Sequence, residues 1–186
     1  MLEIIKYDEN KHAALWDAFV CKSNNGTIFH KREFLTYHQD RKFQDCSFIF
    51  QNKNNIEALF TGAIIDNILY SHPGASFGGF VYNDLSFEFG SKIVDLLVDF
   101  AQQNNLKEII IIPTPFIYYN KYNEVMEYCL YIKGCNIIEY YISSFVDLET
   151  NLLEQMHNRK KRYIKKMEDK IDIQLSTDLD SFYPIL

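Results

Sequence analysis

Apolar and polar positions alternate in blocks, and the spacing inside each block predicts its element. Residues 2–7 form a short strand-like run. Over residues 11–21, Leu15, Phe19 and Ala18 fall on one helical face. Ser23-Asn24-Asn25-Gly26 is a turn cluster, and residues 31–39 suit a short second helix. Residues 46–51 and 56–65 predict antiparallel strands joined by the polar residues 52–55, and residues 68–71 follow a turn at Asp66-Asn67. The longest helical pattern covers residues 85–103, where Phe89, Ile93, Leu96, Leu97 and Phe100 make one stripe that must be buried. Asn104-Asn105 ends it. Residues 107–112, Lys-Glu-Ile-Ile-Ile-Ile, predict a buried strand stopped by Pro113 and Pro115. Strand, loop, helix and strand make a crossover, so the flanking strands should be parallel and the connection right-handed. Residues 122–133 predict a helix closed by Gly134 at C′, residues 137–146 a strand, and residues 150–169 a last long helix. The expected fold class is α/β: a mixed sheet, antiparallel in its front half with one parallel strand–helix–strand crossover, flanked by helices.

Composition narrows the class. A chain of 186 residues, 47% hydrophobic, has enough apolar surface for a packed core and excludes a disordered protein. Thirteen Tyr and 15 Phe can fill that core and also line a substrate groove. The net charge of −6 gives no global case for nucleic acid, yet seven of the 19 Lys and Arg fall between Arg159 and Lys170. The first residues lack a positive segment followed by an apolar stretch, so no signal peptide is expected. No run approaches the roughly 18 apolar residues that span a bilayer. Cys21, Cys46, Cys129 and Cys135 form no Cys-x-x-Cys, and five histidines are scattered. No metal site is expected, and reduced thiols in the cytoplasm are.

The candidate chemistry centres on Ser71-His72-Pro73-Gly74-Ala75-Ser76-Phe77-Gly78-Gly79, between a strand and a long helix. Small residues there let backbone N–H groups approach a ligand. The same glycines also suit a plain turn that needs positive φ. His72 is a candidate base, and Pro73 biases its backbone towards extended geometry. Gly74 to Gly78 matches Gly-x-Ser-x-Gly by letters, but Gly79–Tyr82 reads as extended chain where a nucleophile elbow needs a helix. Tyr118 and Tyr119 follow a parallel strand, where ligands collect at the carboxyl end; tyrosines there also serve as packing anchors. His30, Lys31, Arg32 and Arg41 make a diffuse polar group.

Projected at about 100° per residue, Leu152, Leu153, Met156, Tyr163, Ile164 and Met167 share one apolar stripe. Arg159, Lys161, Arg162, Lys165 and Lys166 cover the other side. Lys160 falls inside the stripe, where it either snorkels or meets an anion with Arg159 or Arg162.

The segments Asn25-Gly26-Thr27-Ile28-Phe29-His30, 71–80, Pro115-Phe116-Ile117-Tyr118 and 158–166 resemble the FemAB-like branch of the GNAT acyltransferases. The resemblance runs through the chain and covers the first lobe of a two-lobed molecule. It implies transfer of an acyl or aminoacyl group, from a thioester or a charged tRNA, to an amine of a cell-envelope or polysaccharide precursor. The basic helix takes the place of the family's connecting helix. It implies a division into a GNAT-like lobe, 1–148, and a connecting helix leading into a second lobe, 149–186. The Gln/Arg-x-x-Gly-x-Gly/Ala signature for acetyl-CoA is absent, and Leu130 stands where the family's tyrosine would be.

Two readings follow. In the first, the chain is an N-acyltransferase or its first lobe. His72, Ser76 and Tyr118 act on the acceptor, and Ser71, Gly74, Gly78, Gly79, Lys160, Arg159 and Arg162 bind substrate. Acyl-CoA stays a candidate donor despite the missing signature. In the second, it is a non-catalytic module that grips a phosphorylated sugar or RNA. The partners expected are a small-molecule or nucleotide-sugar substrate, tRNA, and either a second copy or a second lobe that would cover the apolar stripe.

Overall fold

The computed structural model describes residues 1–36, 43–142, 144–147, 149, 151–168, 170–172, 174–178 and 181. Two compact units divide the chain, Met1–Ile137 and Ile138–Leu186.

The first unit is mixed α/β with two four-stranded sheets. Strands β1 (Leu2–Lys6), β3 (Phe48–Asn52), β4 (Asn55–Thr61) and β7 (Gly79–Tyr82) form an antiparallel sheet in the order β1-β3-β4-β7. Strands β2 (Gln44–Asp45), β5 (Ala63–Ile65), β6 (Ile68–Tyr70) and β8 (Glu108–Ile110) form the other, with β6 and β8 parallel. The strand–helix–strand crossover therefore has the parallel strands expected of it.

The period of two along each strand separates two cores. Phe48, Phe50, Ala58, Phe60, Phe80 and Tyr82 face helix α3 (Phe87–Gln103), where Ile93, Val94 and Leu97 complete the cluster. Ile49, Leu59 and Val81 point the other way, onto Trp16 and Val20 of helix α1 (Glu9–Lys22). Both helices are capped by side chains: Asp8 accepts from the Asn10 backbone N–H, and Ser86 from that of Phe89. Helix α4 (Val125–Ile132) follows β8 and closes with Gly134 at φ +84, as expected.

Four expectations are corrected. The buried face of α1 carries Trp16 and Val20; Leu15 is 58% exposed and Ala18 is also exposed. The single strand over 56–65 is two strands, because Gly62 hands the chain from one sheet to the other. A Cβ there would lie 2.7 Å from Phe60 Cε1 and 2.9 Å from the Cys46 carbonyl oxygen. The alternating run at 137–146 forms no strand among its described residues, and Ile142 is 99% exposed. The last helix is interrupted in the second unit. Helix α5 (Leu152–Gln155) stops at Met156, whose ψ of 139° breaks the spiral, and α6 (Asn158–Met167) restarts after a cap from His157.

Helix α2 (Arg32–Thr36) lies within the expected 31–39. Residues 37–39 and Arg41 lie outside the described residues. No described helix is long and apolar enough to cross a membrane.

Candidate functional site: a fork between two parallel strands

Pairing of β6 with β8 ends at Tyr70 and Ile110. One more step holds them: the Ser71 N–H donates to the Ile110 carbonyl at 2.9 Å, and the Ile112 N–H to Ser71 Oγ at 2.8 Å. The glycine-rich segment then leaves the sheet and returns, and the Gly78 N–H donates to the Ile112 carbonyl at 2.9 Å. Beyond that point the arms part. Strand β7 stays with β4, while the chain after β8 runs into Pro113.

Close packing at the fork explains the glycines. A Cβ on Gly78 would lie 2.6 Å from the Ser71 carbonyl oxygen and 2.7 Å from Thr61 Oγ1. Gly79 has φ +81, and its N–H donates to Thr61 Oγ1 at 2.8 Å. His72 has φ +58, which corrects the extended geometry expected before Pro73. Its N–H turns back onto the Tyr70 carbonyl at 2.8 Å, and its buried ring meets Phe43 edge-on. A left-handed non-glycine residue costs roughly 1–3 kcal/mol, so packing holds it there.

Two asparagines fill the gap between the arms. Asn25 acts as a strand surrogate on the free edge of β7: its Nδ2 donates to the Phe80 carbonyl at 2.9 Å, and its Oδ1 accepts from the Tyr82 N–H at 3.0 Å. The Asn24 N–H donates to the Tyr82 carbonyl at 2.8 Å, and its side chain exchanges two bonds with the Lys121 backbone, at 2.8 and 2.7 Å.

His30 locks the base of this arrangement. It is fully buried, and its Nδ1 accepts the Thr27 N–H at 3.0 Å. The neutral ring therefore carries its proton on Nε2, which faces Thr114 Oγ1 at 3.4 Å; the Gly78 backbone also bonds the ring. Burial pushes the imidazole down to about 4. At neutral pH His30 is an uncharged pin between the turn, the glycine segment and the chain after β8.

Beside the asparagines, the Tyr119 hydroxyl lies 3.4 Å from that of Tyr82 and donates to Glu127 Oε1 at 3.3 Å. Burial pushes Tyr119 up to about 12, raises Tyr82, and raises the Glu127 carboxyl. An aromatic file, Phe34, Phe29, Phe77 and Tyr118, runs along the rim with successive ring centroids 5.0, 4.8 and 5.4 Å apart.

The structure therefore brings Ser71, His72, Gly78, Gly79 and Tyr118 to one fork. Ser71 and His72 are buried, with Ser71 Oγ bound to the backbone; Gly74 and Ser76 are exposed, and Tyr118 is 54% exposed. Arg159, Lys160 and Arg162 belong to the second unit, where all three are exposed. Arg159 and Arg162 line a shallow groove with Tyr163 and Lys166; Lys160 is not among its lining residues. Sequence reasoning missed Asn24, Thr114 and Glu127, and left His30 in a diffuse group. The one local signal was Thr27-x-x-His30, a capping-box spacing realised with histidine.

No cluster of His, Cys, Asp and Glu among the described residues could hold a metal ion. On β7 the Phe80 carbonyl and both backbone groups of Tyr82 are already bonded, so these groups are not open to a further strand. Comparison with protein-family models, with curated proteins and with solved structures returns no match.

Proposed function

We infer that this chain is an acceptor-binding lobe of an N-acyltransferase, acting on an amine of a cell-envelope or polysaccharide precursor. The observation that carries the reading is the fork itself: a parallel strand pair parting around a glycine segment, with Tyr118 and the exposed Ser76 nearby. That arrangement suits a sugar amine, whose ring stacks on an aromatic face while a hydroxyl accepts or donates. Amide formation joins the amine nitrogen to the acyl carbon and breaks the bond from that carbon to sulfur or oxygen; the proton lost by the amine ends on the departing group, which leaves as a thiol or hydroxyl. The neutral, buried His30 fixes the fork and does not take that proton.

The closed edge of β7 supports a donor site elsewhere, on a second lobe or a second copy. The same closure favours the other reading, a GNAT-like module that binds a phosphorylated sugar or RNA without chemistry of its own. Four free cysteines fit a reducing, cytoplasmic setting.

Calorimetry with a nucleotide-linked amino sugar, an acyl-CoA and tRNA tests this. The amino sugar is expected to bind, Tyr118→Ala to weaken it about tenfold, and acyl-CoA to show no heat. Acyl-CoA binding that outcompetes the sugar would refute the assignment. Sugar binding with no amide formed in the presence of any donor supports the module reading.

A further inference from the structure

We propose that α6 is an interfacial helix that docks this protein on an anionic lipid surface. The inference goes beyond the acyltransferase reading and rests on the second unit alone.

Residues 159–170 hold seven basic residues against two acidic ones, in a chain whose net charge is −6. The attraction to an anionic partner is therefore local to this helix. Arg159, Arg162 and Lys166 share one flank, spaced three and four residues apart, and Lys161 and Lys165 lie on the other. Between the flanks runs an apolar stripe of Tyr163, Ile164 and Met167, which are 56%, 41% and 39% exposed. Ten residues make under three turns, too short to span a bilayer and long enough to lie along it.

A stripe of tyrosine, isoleucine and methionine between rows of Lys and Arg matches the depth profile of a leaflet. Apolar side chains enter the acyl boundary, the tyrosine hydroxyl stays among headgroups, and the basic flanks meet lipid phosphates. Lys160 sits within the stripe, and its four-carbon stem lets the ammonium rise to the headgroups. The guanidinium of Arg159 already lies 5.8 Å from the Tyr163 ring centre, so the cation and ring reach the interface together. A nucleic acid would satisfy the basic flanks but leave Ile164 and Met167 in water, which is why the lipid surface is the better fit.

The test uses the full chain in a vesicle flotation assay. Vesicles of phosphatidylcholine alone are compared with vesicles about one-third phosphatidylglycerol. Binding to the anionic vesicles is expected to exceed binding to neutral ones by about tenfold or more, and to fall as salt screens the charges. Ile164→Gln with Met167→Gln should lower it about tenfold, as should Arg159→Gln with Arg162→Gln and Lys166→Gln. These positions are on the surface, so unchanged thermal melting confirms that each variant is folded. In Tyr163→Trp, a blue-shifted emission with anionic vesicles marks insertion of the stripe. Equal flotation with both vesicle types overturns the proposal. So does binding that tracks only the basic residues, is untouched by the Ile164 and Met167 changes, and is matched by single-stranded RNA, which identifies a polyanion site instead.

Discussion

Replacing Asn25 by Ala tests the closure of the fork most directly. The side chain is 1% exposed and satisfies two main-chain groups of β7, the Phe80 carbonyl and the Tyr82 N–H. Alanine leaves both open in a buried place, at roughly 1–3 kcal/mol each, or about 2–6 kcal/mol together. For a domain of this size, where 1 kcal/mol moves the melting point by about 2–4 °C, the expected fall is about 4–24 °C. Urea unfolding followed by circular dichroism gives the free energy, and calorimetry the melting point. Asn25→Asp keeps an acceptor for the Tyr82 N–H but turns a second oxygen towards the Phe80 carbonyl, so its loss should equal or exceed that of alanine. A loss below about 0.5 kcal/mol for Asn25→Ala, the level of an ordinary surface change, would refute the view that this residue completes the sheet edge.

The other perturbations address the packing and charge around the fork. Gly62→Ala forces a methyl group against Phe60 and the Cys46 backbone, and should destabilise by about 1–3 kcal/mol in urea unfolding; an unchanged midpoint would mean the hand-over between sheets has slack. His30 is held near 4, below the roughly 6.5 of an unfolded histidine, so the unfolded chain binds the extra proton first. Its contribution is fully present above the unfolded value and is lost as pH falls towards 4, at about 1.4 kcal/mol per unit. Between pH 7 and pH 5 wild type should therefore lose about 2 kcal/mol more than His30→Gln; parallel pH profiles for the two would contradict the neutral pin.

What the sequence revealed depended on the range of each interaction. The stripe of α3, its end at Asn104-Asn105 and the Gly134 cap are local patterns, and they were legible. Leu15 misled because neighbouring faces of a short helix look alike; Trp16 won the core because its indole N–H reaches the His30 carbonyl at 2.8 Å. Gly62 was one apolar residue among many until Phe60 and Cys46 closed around it. The run at 137–146 alternates like a strand, but alternation supplies no partner. At the candidate site the glycines and Tyr118 stood out by type and position. Asn24 and Asn25 read as a turn, since nothing nearby in sequence announces bonds to Tyr82 and Lys121. The left-handed backbone of His72 runs against the local rule before proline, and only tertiary packing enforces it.

The asparagine closure also bears on solubility. Strand β7 reads Gly-Phe-Val-Tyr, a short apolar segment without charge, and its outer side would otherwise offer unpaired amides to another molecule. Such segments seed cross-β aggregation when bare. Asn25 guards it with a side chain that pairs like backbone yet cannot extend the ladder, because an amide side chain has no further residue to offer. Variants weakened at this residue should thus precipitate on mild warming before their secondary structure is lost, and with a concentration dependence that simple unfolding lacks.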